Sequence, residues 1–191
     1  MAEHERIHPE TRAEWRAWLE AHHDTSRGVG LVHWRRASGS RMSYDDIVEE
    51  ALCFGWIDSR LNRLDDERSV IMMTPRSPRS NWARSNKERV ERLIAEGRMS
   101  DAGLQMVAIA KANGSWTALD DIEALVIPDD LAVALAADEQ ASRHFEAFPP
   151  SARKMILYWI KSAKRVETRQ RRIAETVRLA AINVRAASQS R

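Results

Sequence analysis

Residues 75–82, Pro75-Arg76-Ser77-Pro78-Arg79-Ser80-Asn81-Trp82, carry two arginines three positions apart, two serines and an indole. Guanidinium groups at that spacing donate several N–H bonds to one carboxylate or phosphate, and serine hydroxyls add to the set. The helix expected to begin near Asn86 contributes free backbone N–H groups, which attract anions for the same reason. Trp82 offers a face for a flat ligand or a guanidinium, a contact of about 0.5–2 kcal/mol. A plainer reading competes: Pro75 and Pro78 shape a strand-to-helix connection, and the arginines pair with carboxylates elsewhere.

Two further groupings could do chemistry. Strand alternation over Gly55-Trp56-Ile57-Asp58-Ser59-Arg60 places Trp56, Asp58 and Arg60 on one face. Beside the arginine loop, that face makes a mixed aromatic and polar pocket. Asp58 serves there either as one half of an ordinary Asp–Arg pair or as a general acid/base, a role that requires burial or a charged partner. Near the C-terminus, Arg165, Arg169 and Arg172 fall at i, i+4 and i+7, a basic stripe able to hold nucleic-acid phosphates in a salt-dependent way. Arginines paired within the chain or left in solvent account for the stripe equally.

Conventional reaction patterns are missing. The sequence has no G-x-S-x-G, H-E-x-x-H, phosphate-binding P-loop or dinucleotide-type glycine turn, so no catalytic residue is assigned and no cofactor is expected. The one cysteine, Cys53, excludes an intrachain disulfide and a cysteine-based zinc site, and its apolar neighbours make it a core residue. His22 and His23 point about 100° apart on a helix with no third ligand near, so no metal is expected.

The elements that must position these residues follow from periodicity. Trp15, Trp18 and Leu19 give a helix over 9–23 an apolar face, with Pro9 at its first position. Val29 to Arg35 reads as a strand, followed by the loop Ala37-Ser38-Gly39-Ser40. Ser43 caps a helix over 44–54 whose inner face is Tyr44, Ile47, Val48, Ala51 and Leu52, and Gly55 ends it in the left-handed region. Ile57–Arg63 and Arg68–Thr74 form an antiparallel hairpin around residues 64–67, with Ile57, Ser59 and Leu61 facing inward against Val70 and Met72. Ser85 and Glu88 read as a capping box for the next helix, and Ser100 caps another closed by Gly114. Helices follow to residue 184. The expected fold is mainly α with a small antiparallel β element (α+β), an N-terminal α+β part over 1–117 and a C-terminal helical part over 118–191, forming one continuous domain.

Charge separates the two parts. The formal net charge is +2, yet residues 118–150 hold 8 acidic side chains and 1 basic, whereas 151–191 hold 11 basic and 2 acidic. The two blocks are expected to neutralise each other. No apolar run is long enough to span a bilayer and no apolar signal core opens the sequence, so the expectation is a cytoplasmic protein without membrane insertion.

Three stretches in order, SYDDIVEEALCFGWIDS, TPRSPRSNWARSNKERVERLIAEGRMS and FPPSARKMILYWIKSAKRVETRQRRIAETV, resemble the bacterial YdeI/OmpD-associated family, whose members are often labelled bacteriocin-protection proteins. The likeness spans residues 10 to 184. It implies resistance to antimicrobial peptides or an envelope association, with no agreed reaction. The family's characteristic positions map onto Gly55, Trp56, Ile57, Asp58 and Ser59, onto Pro75, Arg76, Ser80 and Trp82, and onto Thr168, Arg169 and Arg172. Met72 and Met73 stand where an aromatic is common in relatives. Taken together, the expected function is binding of a small anionic molecule or acidic peptide group by Trp56, Asp58, Arg60, Arg76, Arg79, Ser80 and Trp82. An enzyme using Asp58, and a nucleic-acid module using Arg165, Arg169 and Arg172, are the alternatives.

Overall fold

Residues 5–35 and 42–186 are described in this computed structural model, so the expected loop at 37–40 lies outside the described residues. The chain divides into two units, Met1–Thr117 and Ala118–Arg191. Among the described residues helices dominate and the strands belong to one small sheet, the α+β class.

The first unit is built on that sheet. Its strands β1 (Arg6–Ile7), β2 (Val29–Trp34), β3 (Trp56–Arg63) and β4 (Arg68–Pro75) lie in the order β1-β2-β4-β3. The β3–β4 hairpin forms as expected, but the sheet is mixed, because β1 runs parallel to β2. A two-residue strand has no periodicity to read, which is why the sequence does not announce it. The inward face of the hairpin is the opposite of the expected one. Ser69, Ile71 and Met73 are buried, while Leu61 is exposed and Val70 and Met72 are only half-buried. Asp58 pairs with buried Met73, so Ile57 and Ser59 fall on the other face; a bulge between Asp58 and Leu61, three residues of β3 against two of β4, then breaks the alternation.

Four helices complete this unit: α1 (Arg12–His22), α2 (Tyr44–Cys53), α3 (Arg84–Ala95) and α4 (Asp101–Asn113). Helix α1 starts later than Pro9 because Thr11 takes the cap, its hydroxyl accepting from the Glu14 N–H at 3.2 Å. Ser43 caps α2 in a reciprocal box with Asp46, and Gly55 leaves it at φ +72°. Tyr44 is exposed rather than inward, being the first residue of the helix, ahead of its buried turns. The expected box at Ser85 and Glu88 is absent. Helix α3 opens two residues earlier, after Ala83, with no side-chain cap.

Trp15, Leu19, Ile47, Leu52, Trp56, Met73 and Leu93 are fully buried in one core, each large side chain stabilising by roughly 1.5–3 kcal/mol. Cys53 is part of it, and burial pushes its thiol up to about 11. Helix α4 meets the end of α2 at Gly103, where an added Cβ would stand 2.2 Å from the Cys53 carbonyl oxygen.

The second unit comprises α5 (Asp120–Glu123), α6 (Asp129–Ala136), α7 (Glu139–Ala147), α8 (Pro150–Lys161) and α9 (Val166–Ala181) around Leu131, Phe145, Ile156, Ile160 and Ala180. The acidic and basic blocks do meet within it. Glu123 pairs with Lys154 at 2.5 Å, Asp121 with Lys161 at 3.6 Å, and Asp130 with Arg169 at 2.6 Å. No helix among the described residues is long and apolar enough to cross a membrane.

Candidate functional site

The ladder joins the two stretches singled out in the sequence. Trp56 pairs with Pro75, and the next backbone N–H, from Arg76, donates to the Gly55 carbonyl at 2.9 Å. Past Pro75 the chain leaves the sheet. Asn113, at the end of α4, pins the loop by donating to the Pro78 carbonyl at 2.7 Å, and the Ser80 N–H closes a turn on the Ser77 carbonyl at 2.9 Å.

This path carries the Arg76 side chain inward. Only 3% of the residue is exposed, and its guanidinium lies over the Trp82 ring, 3.8 Å from the centroid. One nitrogen, Nη2, donates to the Asn81 carbonyl, whereas Nε and Nη1 are buried with no hydrogen-bond partner. Burial lowers the pKa to about 10 while the Asp58 carboxylate opposes that fall, so the group stays charged at neutral pH. A buried cation with unmet N–H donors is a costly arrangement, and the donors of native proteins are almost always paired.

Trp82 is itself held. Its backbone N–H donates to the Ser115 carbonyl at 3.3 Å, and its ring tilts against Trp116 at 4.9 Å. Lys111 stands 5.2 Å from the Trp116 centroid on that indole's side of the stack. Ser115 Oγ, like the Arg76 nitrogens, is buried and unpartnered. Asp58, at the bulge, accepts from the Tyr44 hydroxyl at 2.6 Å. Burial and that bond push the Tyr44 phenol up to about 12.

Arg76 and Trp82 are thus brought together, with the Asp58 charge acting on the guanidinium. The other expected residues sit apart from them. Trp56 is a core residue, its ring N–H satisfied by the His23 carbonyl at 3.1 Å and its edge against Trp18. Arg60 lies within the bulge and is exposed, so it does not share a face with Asp58 as simple alternation requires. Arg79 is exposed and Ser80 half-buried. In the second unit Arg165 is exposed. Arg169 forms two bonds with Asp130, and Arg172 donates to Ser162 Oγ at 2.9 Å and lies over Trp159. His22 and His23 each turn a ring nitrogen to their own helix, onto the Trp18 and Leu19 carbonyls. No group of three potential metal ligands occurs among the described residues.

Sequence reasoning passed over a second polar cluster. Glu49 and Glu50 on α2 are 7% and 1% exposed. Glu50 accepts from Arg12 Nε at 2.5 Å, from Arg16 Nη1 at 2.9 Å and from Arg98; Glu49 accepts from Arg12 Nη2 at 2.7 Å and from Arg92. Burial opposes ionisation of Glu49, but the arginine bonds outweigh it and hold the carboxyl below its ordinary range. The signal was the sequence IVEEALC, in which two glutamates interrupt a helix that is buried from residue 47 to 53.

Two family models match the chain. Residues 7–106 match a domain of unknown function (DUF8412), and residues 124–183 match the family described as Bacteriocin-protection, YdeI or OmpD-Associated. The second match is narrower than the span of 10 to 184 on which the resemblance was drawn, and the two N-terminal motifs fall largely under the first. No curated protein and no solved structure matches.

Proposed function

For a chain that belongs to the DUF8412 family and carries a bacteriocin-protection type C-terminal segment, we propose binding of a small anion at Arg76. The ligand is a free phosphate- or carboxylate-bearing molecule or an acidic peptide group. The observation that carries this reading is the pair of unpartnered, buried N–H groups on Nε and Nη1. They lie on different edges of the planar guanidinium, so each can give an anion a charge-assisted N–H bond of its own. The Trp82 ring packs on the guanidinium face, and the Asn81 carbonyl takes Nη2. The Asp58 carboxylate favours the charged form of the guanidinium. The C-terminal match associates the chain with bacteriocin protection at the level of the family. Anion binding is the activity proposed to underlie that association.

Tryptophan fluorescence tests the reading, because Trp82 touches the cation. Titration of the full chain with phosphate and with acetate at low ionic strength should give a saturable change. Arg76→Met should abolish it and Arg79→Ala should leave it. A wild type without response, or an Arg76→Met variant responding equally, contradicts the proposal.

A further inference from the structure

A cavity of about 240 Å³ lies in the second unit, lined by Asp121, Ile122, Val126, Pro128, Leu157, Lys161 and Arg169. Its floor is apolar: Ile122 and Leu157 are buried, and Val126 is 53% exposed at the mouth. Leu125, next to Val126 in the chain, adopts φ +57°, a conformation costing an ordinary L residue about 1–2 kcal/mol. Two cations stand at the rim, and they are held differently. Arg169 is fixed by two bonds to Asp130, at 2.6 and 2.8 Å through Nε and Nη2, which orients its plane. Lys161 faces Asp121 across 3.6 Å, a long and exposed pair of the kind that contributes little. Its ammonium is therefore free to move to a better partner without much loss.

We propose that this cavity binds a carboxylate carried on a short branched aliphatic group. The carboxylate meets Lys161 and the edge of Arg169, and the aliphatic part covers Ile122, Val126 and Leu157. Size excludes larger ligands, since the cavity is below the ~300–1,000 Å³ of sites for drug-sized molecules. Asp121 and Asp130 balance the two cations in number, so an anion is drawn by the loosely paired Lys161 ammonium and by the Arg169 Nη1 that Asp130 does not use. The same chemistry is offered by a free branched acid and by the C-terminal residue of a peptide ending in leucine. This site is independent of Arg76, being formed within the other unit.

The test is methyl NMR of the full chain titrated with isovalerate and with two peptides ending in leucine, one with a free carboxylate and one amidated. Isovalerate should shift the methyl signals of Ile122, Val126 and Leu157, and exposed-site variants Lys161→Glu and Val126→Asp should each weaken binding by about tenfold or more, the worth of one good polar or apolar contact. The free-carboxylate peptide binding while its amide does not assigns the source as a peptide terminus. Isovalerate binding with both peptides silent assigns it as a free acid, and either result supports the site. No methyl shifts, or shifts unchanged in Lys161→Glu, or an amide bound as well as the acid, overturns it.

Discussion

The Arg76 guanidinium lies 3.8 Å from the centre of the Trp82 ring, buried, charged and with two of its nitrogens unpartnered. A residue kept for stability alone would not leave those donors unmet. Replacing a buried ion by an apolar side chain of similar volume is often neutral or stabilising by about 1–4 kcal/mol. Arg76→Met is therefore expected to melt at or above the wild-type temperature while losing the anion response. A fall of several degrees with the response intact would show that Arg76 is structural.

Glu50 behaves in the opposite way. It is 1% exposed and accepts from three arginines, so Glu50→Gln leaves Arg12, Arg16 and Arg98 facing an uncharged group. Breaking a buried ion pair costs about 3–5 kcal/mol. Urea unfolding should show a loss of that order, against a small effect for Glu20→Gln, whose partner Arg16 is shared and whose side chain is exposed.

Acid should find the same cluster. Burial raises the pKa values of Glu49 and Asp46, but bonds from Arg92 and Arg12 to the first, and from Ser43 and Arg12 to the second, bring both below their ordinary values. A folded-state pKa below the unfolded one means the stabilisation is complete above the ordinary carboxylate range and is lost as pH falls through the folded values. The free energy of unfolding should decline below about pH 4.5, the ordinary glutamate value. The decline should flatten in a Glu49→Gln, Asp46→Asn variant; an unchanged slope would remove these carboxyls from the account.

Tyr44 reports on Asp58. Its phenol is pushed up to about 12, first by burial and then by the bond to Asp58. Absorbance titration in a Tyr158→Phe background should place phenolate formation there, and Asp58→Asn should bring it down toward 10. An unshifted transition in the parent would mean the 2.6 Å bond is not made in solution.

Gly103→Ala should be severe. The new Cβ would fall 2.2 Å from a carbonyl oxygen, and backbone cannot swing away as a side chain can. The expected loss is about 3 kcal/mol, the upper end of overpacking costs, read by thermal melting. Gly97→Ala, with nothing near its Cβ, carries only the penalty of its φ of +67°.

How far the sequence carries depends on whether a feature is local. Caps at Ser43 and Ser100, the glycine after α2 and the β3–β4 hairpin were legible, because each depends on a few neighbouring residues. The inward face of the hairpin was not, since it is set by how β4 pairs with β2 and β3, and the bulge then breaks the alternation after Asp58. Arg76 stood out by its spacing, yet its burial follows from Asn113 and Trp82 fixing the loop, which no local pattern encodes. Glu49 and Glu50 have no local pattern that names their partners. Their four arginines come from α1, from α3 and from the segment after it, contacts at separations of 34 to 48 residues.

The most direct measurement is proton–nitrogen NMR of the arginine side chains. The Arg76 Nε–H signal, identified by its loss in Arg76→Met, should shift strongly and saturably when phosphate or acetate is added at low ionic strength, while Arg12 and Arg98, already bonded to Glu50, stay in place. An Arg76 signal that does not move, or that moves only with the whole set of arginines, contradicts anion binding at this site.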